Sequence, residues 1–430
     1  MDPLILGLRD GRLTDPDGGG AVPLPVARIV VEPSLDGQEA DLLAPLRLPR
    51  PWLVVSDEVT REVLGRRVER ALAADGVVLE RPTADLETAG SLAERARGAG
   101  ALIAVGSGTL NDLVKHAAAS TGRPYVVFAT APSMNGYVTG TASLAVGGLK
   151  STLPAKAPRA ALFDLEVLTR APVRLIRAGL GDTLCRTTAE TDWLLAHLVT
   201  GSGYDPRPFR LQAADEPKLL HSAGRLAEGD PEAVLTLTRL LILSGLGMAL
   251  AGSSAPASQG EHLISHVLDM WDSGGGRPHG EQVGVATLTM SRLQHRLLDL
   301  VEAPRLRAEA GPDPDRLIAC FEPALHDVCA RALAAKALSP EGRRALERRL
   351  AADWGAIRGR LVPAMVRTTR LALALEAAGA ARRPEDLGID PAVYGAAVRH
   401  ARAIRDRYTA LDFAAAAGML DAFVREETAR

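Results

Sequence analysis

Nine histidines occur in the 430-residue chain, and three of them, His262, His266 and His279, fall within eighteen positions. His262 and His266 are four apart in GEHLISHVLDM, which puts both imidazoles on one face of a helix. His279 follows a glycine-rich break, in PHGE beside Glu281. Imidazoles with a carboxylate suit a divalent transition metal, since both offer lone pairs at neutral pH. The HxxxH spacing lacks the glutamate of the zinc-protease motif HExxH. An isolated histidine is more often a hydrogen-bonded core residue than a ligand, so both readings stand for this cluster. Asp182, in GLGD, is a further candidate near the start of a long helical segment. Cys185, three residues on, reads either as a soft ligand or as a small buried helix residue.

A second kind of chemistry is written in residues 101–116, ALIAVGSGTLNDLVKH. An apolar strand runs into Gly106-Ser107-Gly108-Thr109, and a helix begins. Glycines let a backbone approach a phosphate closely, and a helix N-terminus supplies free N–H groups. The third glycine of the dinucleotide fingerprint is absent, so a ligand-free glycine turn remains an alternative. The next strand ends in the polar loop Thr130-Ala131-Pro132-Ser133-Met134-Asn135-Gly136. Ligands of α/β proteins lie at the carboxyl ends of parallel strands, although any one such loop can be a simple turn. Two of them at successive strand ends favour a shared cleft.

Such groups need a scaffold. Short β-rich runs at 52–56, 77–79, 101–105, 125–129 and 160–163 alternate with helical patterns at 61–74 and 86–98. Strands apolar on both faces and separated by helices predict a parallel sheet in an α/β domain. From about Pro172 the strand signal ends, and alanine-, leucine- and arginine-rich segments take over. Breaks at 201–208, 229–231, 274–278, 311–314 and 384–391 divide them into helices of an all-α domain. The expected division is 1–170, an α/β dinucleotide-binding domain, and 171–430, an all-helical domain.

Composition narrows the class. The chain is 47% hydrophobic and 24% charged, with 50 basic against 52 acidic residues and a net charge of −2. No basic excess recruits nucleic acid or an anionic membrane. Three widely spread cysteines are no disulfide framework and suit a reducing compartment. The N-terminus lacks the pattern of a signal peptide. The most apolar stretch, 240–252, is short for a bilayer span and reads as a buried core helix. A soluble, cytoplasmic protein with no membrane insertion is expected. Lysine occurs only at Lys115, Lys150, Lys156, Lys218 and Lys336, a ratio that a GC-rich genome explains.

Taken in order, these pieces resemble the sn-glycerol-1-phosphate dehydrogenases, within the superfamily of iron-containing alcohol dehydrogenases, glycerol dehydrogenases and dehydroquinate synthases. The resemblance runs from about Trp52 to His295. It rests on GSGTLND (106–112), TAPSMNG (130–136), GGLKSTLPAKAP (147–158), GLGD (179–182), EHLISH (261–266) and HGEQVG (279–284). It implies a dehydroquinate synthase-like enzyme with an NAD(P)-binding N-terminal domain, a metal-binding helical domain and an active site in the cleft between them. Gly106, Gly108, Thr109, Leu110, Asn111, Asp112, Thr130, Ala131, Pro132, Ser133 and Thr139 would contact the cofactor. Asp57 matches the acid that holds the adenosine ribose, which favours NAD over NADP. Asp182, His262 and His279 match the metal ligands, with zinc the first choice and iron or nickel the alternatives. His266 matches a substrate contact and would handle the proton, while Asp182 and Asn135 also face substrate.

One residue departs from the pattern. Asn135 stands where the family usually carries aspartate, which is either a tolerated variant or the mark of a changed substrate. Lys150, in an arginine-dominated chain, either places a compact charge near a substrate phosphate or is a solvated loop residue. The implied reaction interconverts dihydroxyacetone phosphate and sn-glycerol 1-phosphate, with a polyol phosphate as partner and a homo-oligomer as the assembly. The rivals are a polyol dehydrogenase acting on an unphosphorylated or cyclic substrate, a dehydroquinate-synthase-like cyclase, and a catalytically silent nucleotide-binding homologue. Scarce lysines and the TAPS loop argue against the cyclase. Intact Asp182, His262 and His279 argue against the silent homologue, which Asn135 keeps open.

Overall fold

Six short runs rich in β-branched and apolar residues make the main sheet of this protein. The computed structural model describes residues 3–15, 18, 20–272, 276–307, 315 and 318–430. After an antiparallel pair, β1 (Arg12–Thr14) and β2 (Ala21–Pro23), come β3 (Arg28–Glu32), β4 (Trp52–Asp57), β5 (Asp75–Leu79), β6 (Ala101–Gly106) and β7 (Tyr125–Ala129). β8 (Thr141–Val146) and β9 (Leu149–Pro154) form a hairpin, and β10 (Ala160–Asp164) closes the series. The main sheet is parallel, in the order β3-β10-β7-β6-β4-β5. β6 and β7 are buried along their whole length, as strands covered on both faces must be.

Five of these strands lie within two residues of the expected runs. β3 does not announce itself, because RIVVE leads into Pro33 and a polar loop instead of a helical pattern. GGLKSTLPAKAP, expected as a loop, contributes β9. Gly147 and Gly148 take φ of 55° and 82°, the left-handed pair that a tight two-residue hairpin turn requires. The helix expected at 61–74 begins earlier, at Glu58, and its middle winds as a π-helix over Arg61–Gly65.

Packing groups the chain into two units, Met1–Thr183 with Arg207–Ser253, and Leu184–Pro206 with Ser254–Arg430. The expected division at 170 follows the change of secondary structure. Packing differs from it because the helix Pro231–Ala251 belongs with the sheet-bearing unit. That helix is longer than the apolar stretch at 240–252. By length and composition it could cross a membrane, yet 67% of its most apolar window is buried within the structure. Asp230 caps it, accepting from Ala233 N–H at 2.8 Å, and Gly252 ends it. Among the described residues the second unit contains helices and no strand. The expected breaks at 201–208 and 229–231 interrupt helices; of the break at 274–278 only 276–278 is described, between the helices Gly260–Trp271 and His279–Leu298, and 311–314 lies outside the described residues.

Candidate active site

In the first unit the strand order reverses beside β4. β5 lies outward of it and β6 on its other side, so a crevice opens at the carboxyl ends of β4 and β6. Asp57 ends β4, and Gly106-Ser107 ends β6. Asp57 caps the following helix: Oδ1 accepts from Thr60 N–H at 2.7 Å. The helix Gly108–Ser120 starts at Ser107 without a side-chain cap, so its first N–H groups remain available to an anion. Thr130 N–H donates to Gly106 O at 3.2 Å and ties the second loop to the first.

Lys115 organises this corner. It is fully buried, and its ammonium donates to Gly136 O (2.7 Å), Thr141 O (2.9 Å), Thr139 Oγ1 (3.2 Å) and Asp112 Oδ1 (3.3 Å). Burial pulls its pKa down, and the Asp112 charge opposes the fall. Asp112 Oδ2 accepts from Ser143 N–H at 3.0 Å. Asn111, wholly buried, donates to Asp112 at 3.2 Å. These groups staple residues 136–143 onto the helix. Tyr137, whose hydroxyl donates to Ala131 O at 2.7 Å, holds the preceding turn. Asn135 N–H donates to Asp182 Oδ2 at 2.8 Å, and its own Nδ2 is buried with no acceptor in reach among the described residues.

Asp182 is carried by the helix Val173–Leu184, which approaches the loop closely. A Cβ on Gly179 would lie 1.8 Å from Pro132 O, so only glycine lets this backbone touch the Thr130–Ser133 turn.

In the second unit the three histidines converge. His262 and His266 come from Gly260–Trp271, and His279 opens His279–Leu298. Ring centroids are 5.2 Å apart for His262–His279, 5.5 Å for His266–His279 and 6.1 Å for His262–His266. Glu261 Oε1 lies 3.0 Å from His262 Nδ1, and Ser265 Oγ lies 2.9 Å from His279 Nδ1. The Ser265 hydroxyl also donates to Gln282 Oε1 at 3.3 Å, so it accepts from His279. Both rings are thus assigned as Nδ1–H tautomers that present Nε2 as a lone pair. Burial alone would raise the Glu261 pKa; the bonds from His262 and from Gln259 N–H outweigh it and leave the carboxyl below its ordinary value. Cys185, Glu261 and His262 also lie within 4.8 Å by ligand atoms, but the carboxylate is engaged with Gln259, His262 and Thr188. Cys185 is buried and its thiol donates to Ala257 O at 3.7 Å.

Comparison with known proteins decides the family. The iron-containing alcohol dehydrogenase model matches residues 30–172. A glycerol-1-phosphate dehydrogenase [NAD(P)+] of Thermococcus kodakarensis is 33% identical over 304 residues, covering 67% of this chain and 86% of that protein. The Pyrococcus furiosus protein of the same name is 34% identical, covering 64% and 82%. This chain belongs to the glycerol-1-phosphate dehydrogenase family. It is an oxidoreductase of the iron-containing alcohol dehydrogenase group. A probable glycerol dehydrogenase from Sinorhizobium meliloti 1021 shares the fold, with a TM-score of 0.60 at 19% identity, covering 93% of this chain and 97% of that one.

Within the glycerol-1-phosphate dehydrogenase pattern, the first unit gathers Gly106, Gly108, Thr109, Leu110, Thr130, Ala131, Pro132 and Ser133 at adjacent strand ends, with Asp57 across the crevice. Asn111, Asp112 and Thr139 face inward, into the Lys115 network. Lys150 pairs with Ala145 near the hairpin turn, four register pairs from the Thr141–Pro154 end, or about 14 Å along the strand. Lys115, Glu261, Ser265 and Gln282 hydrogen-bond to candidate site residues or to one another, and motif reasoning passed over them. A lysine among arginines was the available signal for Lys115, and Glu261 and Ser265 each immediately precede a histidine.

Proposed function

We propose that this enzyme interconverts dihydroxyacetone phosphate and sn-glycerol 1-phosphate with NAD or NADP, using a divalent cation held by Asp182, His262 and His279. The observation that carries the proposal is the pair of histidines in the second unit whose Nδ1 atoms are occupied by Glu261 and Ser265, so that Nε2 is presented from each. That donor set fits zinc, and iron or nickel would accept the same ligands. When bound, the cation supplies Lewis acidity toward the carbonyl and the nicotinamide supplies the hydride.

The chain's own residues do the rest. The free N–H groups at Gly108–Leu110 and the Thr130–Ser133 turn bind the cofactor diphosphate, and Asp57 accepts from the adenosine ribose. A carboxylate there repels a 2′-phosphate, which favours NAD. His266, one turn from His262, exchanges the proton with the substrate oxygen. The Asn135 amide donates from Nδ2 to an acceptor oxygen of the substrate, whereas aspartate would accept from a hydroxyl. This amide also favours a second reading, a polyol dehydrogenase for a different ketone. Three free cysteines suit a cytoplasmic setting, and assembly into a homo-oligomer belongs to the same proposal.

The test is NADH oxidation by zinc-loaded protein, with dihydroxyacetone phosphate against unphosphorylated dihydroxyacetone. A strong preference for the phosphate supports the proposed reaction. Turnover of neither, with zinc and NADH both bound, rejects it and points to another substrate.

A further inference from the structure

Arg407 is a guanidinium without a carboxylate. In the second unit, its Nη1 donates to Ser258 O and its Nη2 to Ser254 Oγ at 3.1 Å, and among the described residues no acid lies within ion-pair distance. Of the nearby carboxylates, Asp406 is exposed beside Arg407 in the chain and acts on it without an ion-pair contact, and two others are already engaged. Asp412 pairs with Lys336 at 2.9 Å and with Arg402 at 3.3 Å, and Glu261 holds His262, Gln259 and Thr188. Burial, then the charge of Arg405, pushes the Arg407 pKa down to about 10 against the opposing charges of Glu261 and Asp406, and Arg405 is lowered by burial as well, with Asp406 opposing. Both side chains are partly exposed.

The backbone under this pair is fixed. Lys336 donates to Arg402 O at 2.5 Å and to Arg407 O at 3.4 Å, and Ala410 N–H donates to Asp192 at 3.1 Å. Ser258, which accepts from Arg407, is an extended residue just ahead of the helix Gly260–Trp271, four positions before His262 in the chain. The two neutral acceptors recover part of the desolvation cost of this cation and an anion would recover more, and a guanidinium on a rigid base is organised for forked hydrogen bonds to phosphate oxygens.

We propose that Arg407, with Arg405 beside it, is the anion subsite that holds the phosphoryl group of a phosphate-ester substrate. This rests on the reading of the enzyme as a dehydrogenase of phosphorylated ketones, and it assigns phosphate recognition to a segment outside the six motifs. Arg407 sets specificity for the ester and takes no part in hydride or proton transfer.

Inorganic phosphate is the direct probe, titrated calorimetrically into zinc-loaded wild type, Arg407→Gln and Arg405→Gln, with zinc content and circular dichroism compared. The expected result is phosphate binding by wild type that weakens at least tenfold in each variant. In step, KM for dihydroxyacetone phosphate rises at least tenfold, while kcat/KM for unphosphorylated dihydroxyacetone stays within twofold. Should Arg407→Gln not fold, Arg405→Gln carries the comparison. Unchanged phosphate affinity in a folded, zinc-replete variant overturns the subsite, as does a wild type that binds no phosphate. A wild type that binds phosphate through these arginines but reduces neither ketone retains the subsite and rejects the substrate reading instead.

Discussion

Lys115 and Ser265 act at the scale of single side chains, and each acts by holding something else in place. Lys115 satisfies two carbonyls and a hydroxyl from residues 136–141. Lys115→Met would leave these acceptors and Asp112 buried without their donor, at a cost of about 2–4 kcal/mol. Urea unfolding should show that loss, and NADH titration should show weaker binding because the Thr130–Asn135 loop is no longer stapled. Stability within about 0.5 kcal/mol of wild type would contradict the assigned role. Ser265→Ala removes the oxygen that fixes the His279 ring, and zinc affinity should fall about 10–100-fold in competition with a chelator. Cluster membership was legible in the sequence for His262 and His279. Their tautomers were not, because spacing does not show that Glu261 turns onto the ring of its neighbour His262 or that Ser265, fourteen residues upstream, reaches His279.

At the scale of elements, two contacts decide how the site-bearing segments meet within each unit. The helix Val173–Leu184 touches the Thr130–Ser133 turn through Gly179. Gly179→Ala should force the turn away, costing about 1–3 kcal/mol or more and weakening NADH binding, as fluorescence titration would report. In the second unit, Asp192 accepts from Gly260 N–H (3.2 Å), Ala410 N–H (3.1 Å) and Gln294 (2.8 Å), so one carboxyl joins the starts of two helices. Burial, reinforced by the Glu261 charge, raises its pKa from 3.8 to about 7. The folded chain therefore keeps a proton that the unfolded chain releases. Stability from this group is full in acid and falls as pH rises from about 4 to about 7, by about 1.4 kcal/mol per unit at most. Asp192→Asn should flatten that decline in urea unfolding between pH 5 and pH 8; an unchanged slope would assign it to other groups.

For the whole molecule, ligand binding and stability are linked. If Asp182, His262 and His279 hold zinc, chelation should lower the melting temperature and restored zinc should raise it. The gain is about 4 kcal/mol at a thousandfold excess over Kd. His262→Ala should abolish both the bound zinc measured by elemental analysis and the melting response to added zinc. A melting temperature indifferent to chelator would argue against a resident metal.

What the sequence alone determined was local and periodic: five of the six sheet strands, the helical remainder, the glycine turn after β6 and the histidine spacing. Each of these depends on side-chain type over a few residues, and so does the family resemblance built from the motifs. Tertiary structure decided what depends on distant partners. It placed β3 at a sheet edge through pairing with β10, and buried Lys115 among carbonyls 21 to 26 residues away. It grouped 207–253 with the sheet-bearing unit, and set Arg407 against Ser254 and Ser258, about 150 residues upstream. The physical reason is common to all of these. Burial and hydrogen-bond satisfaction are properties of space around a side chain, and spacing along the chain does not contain them.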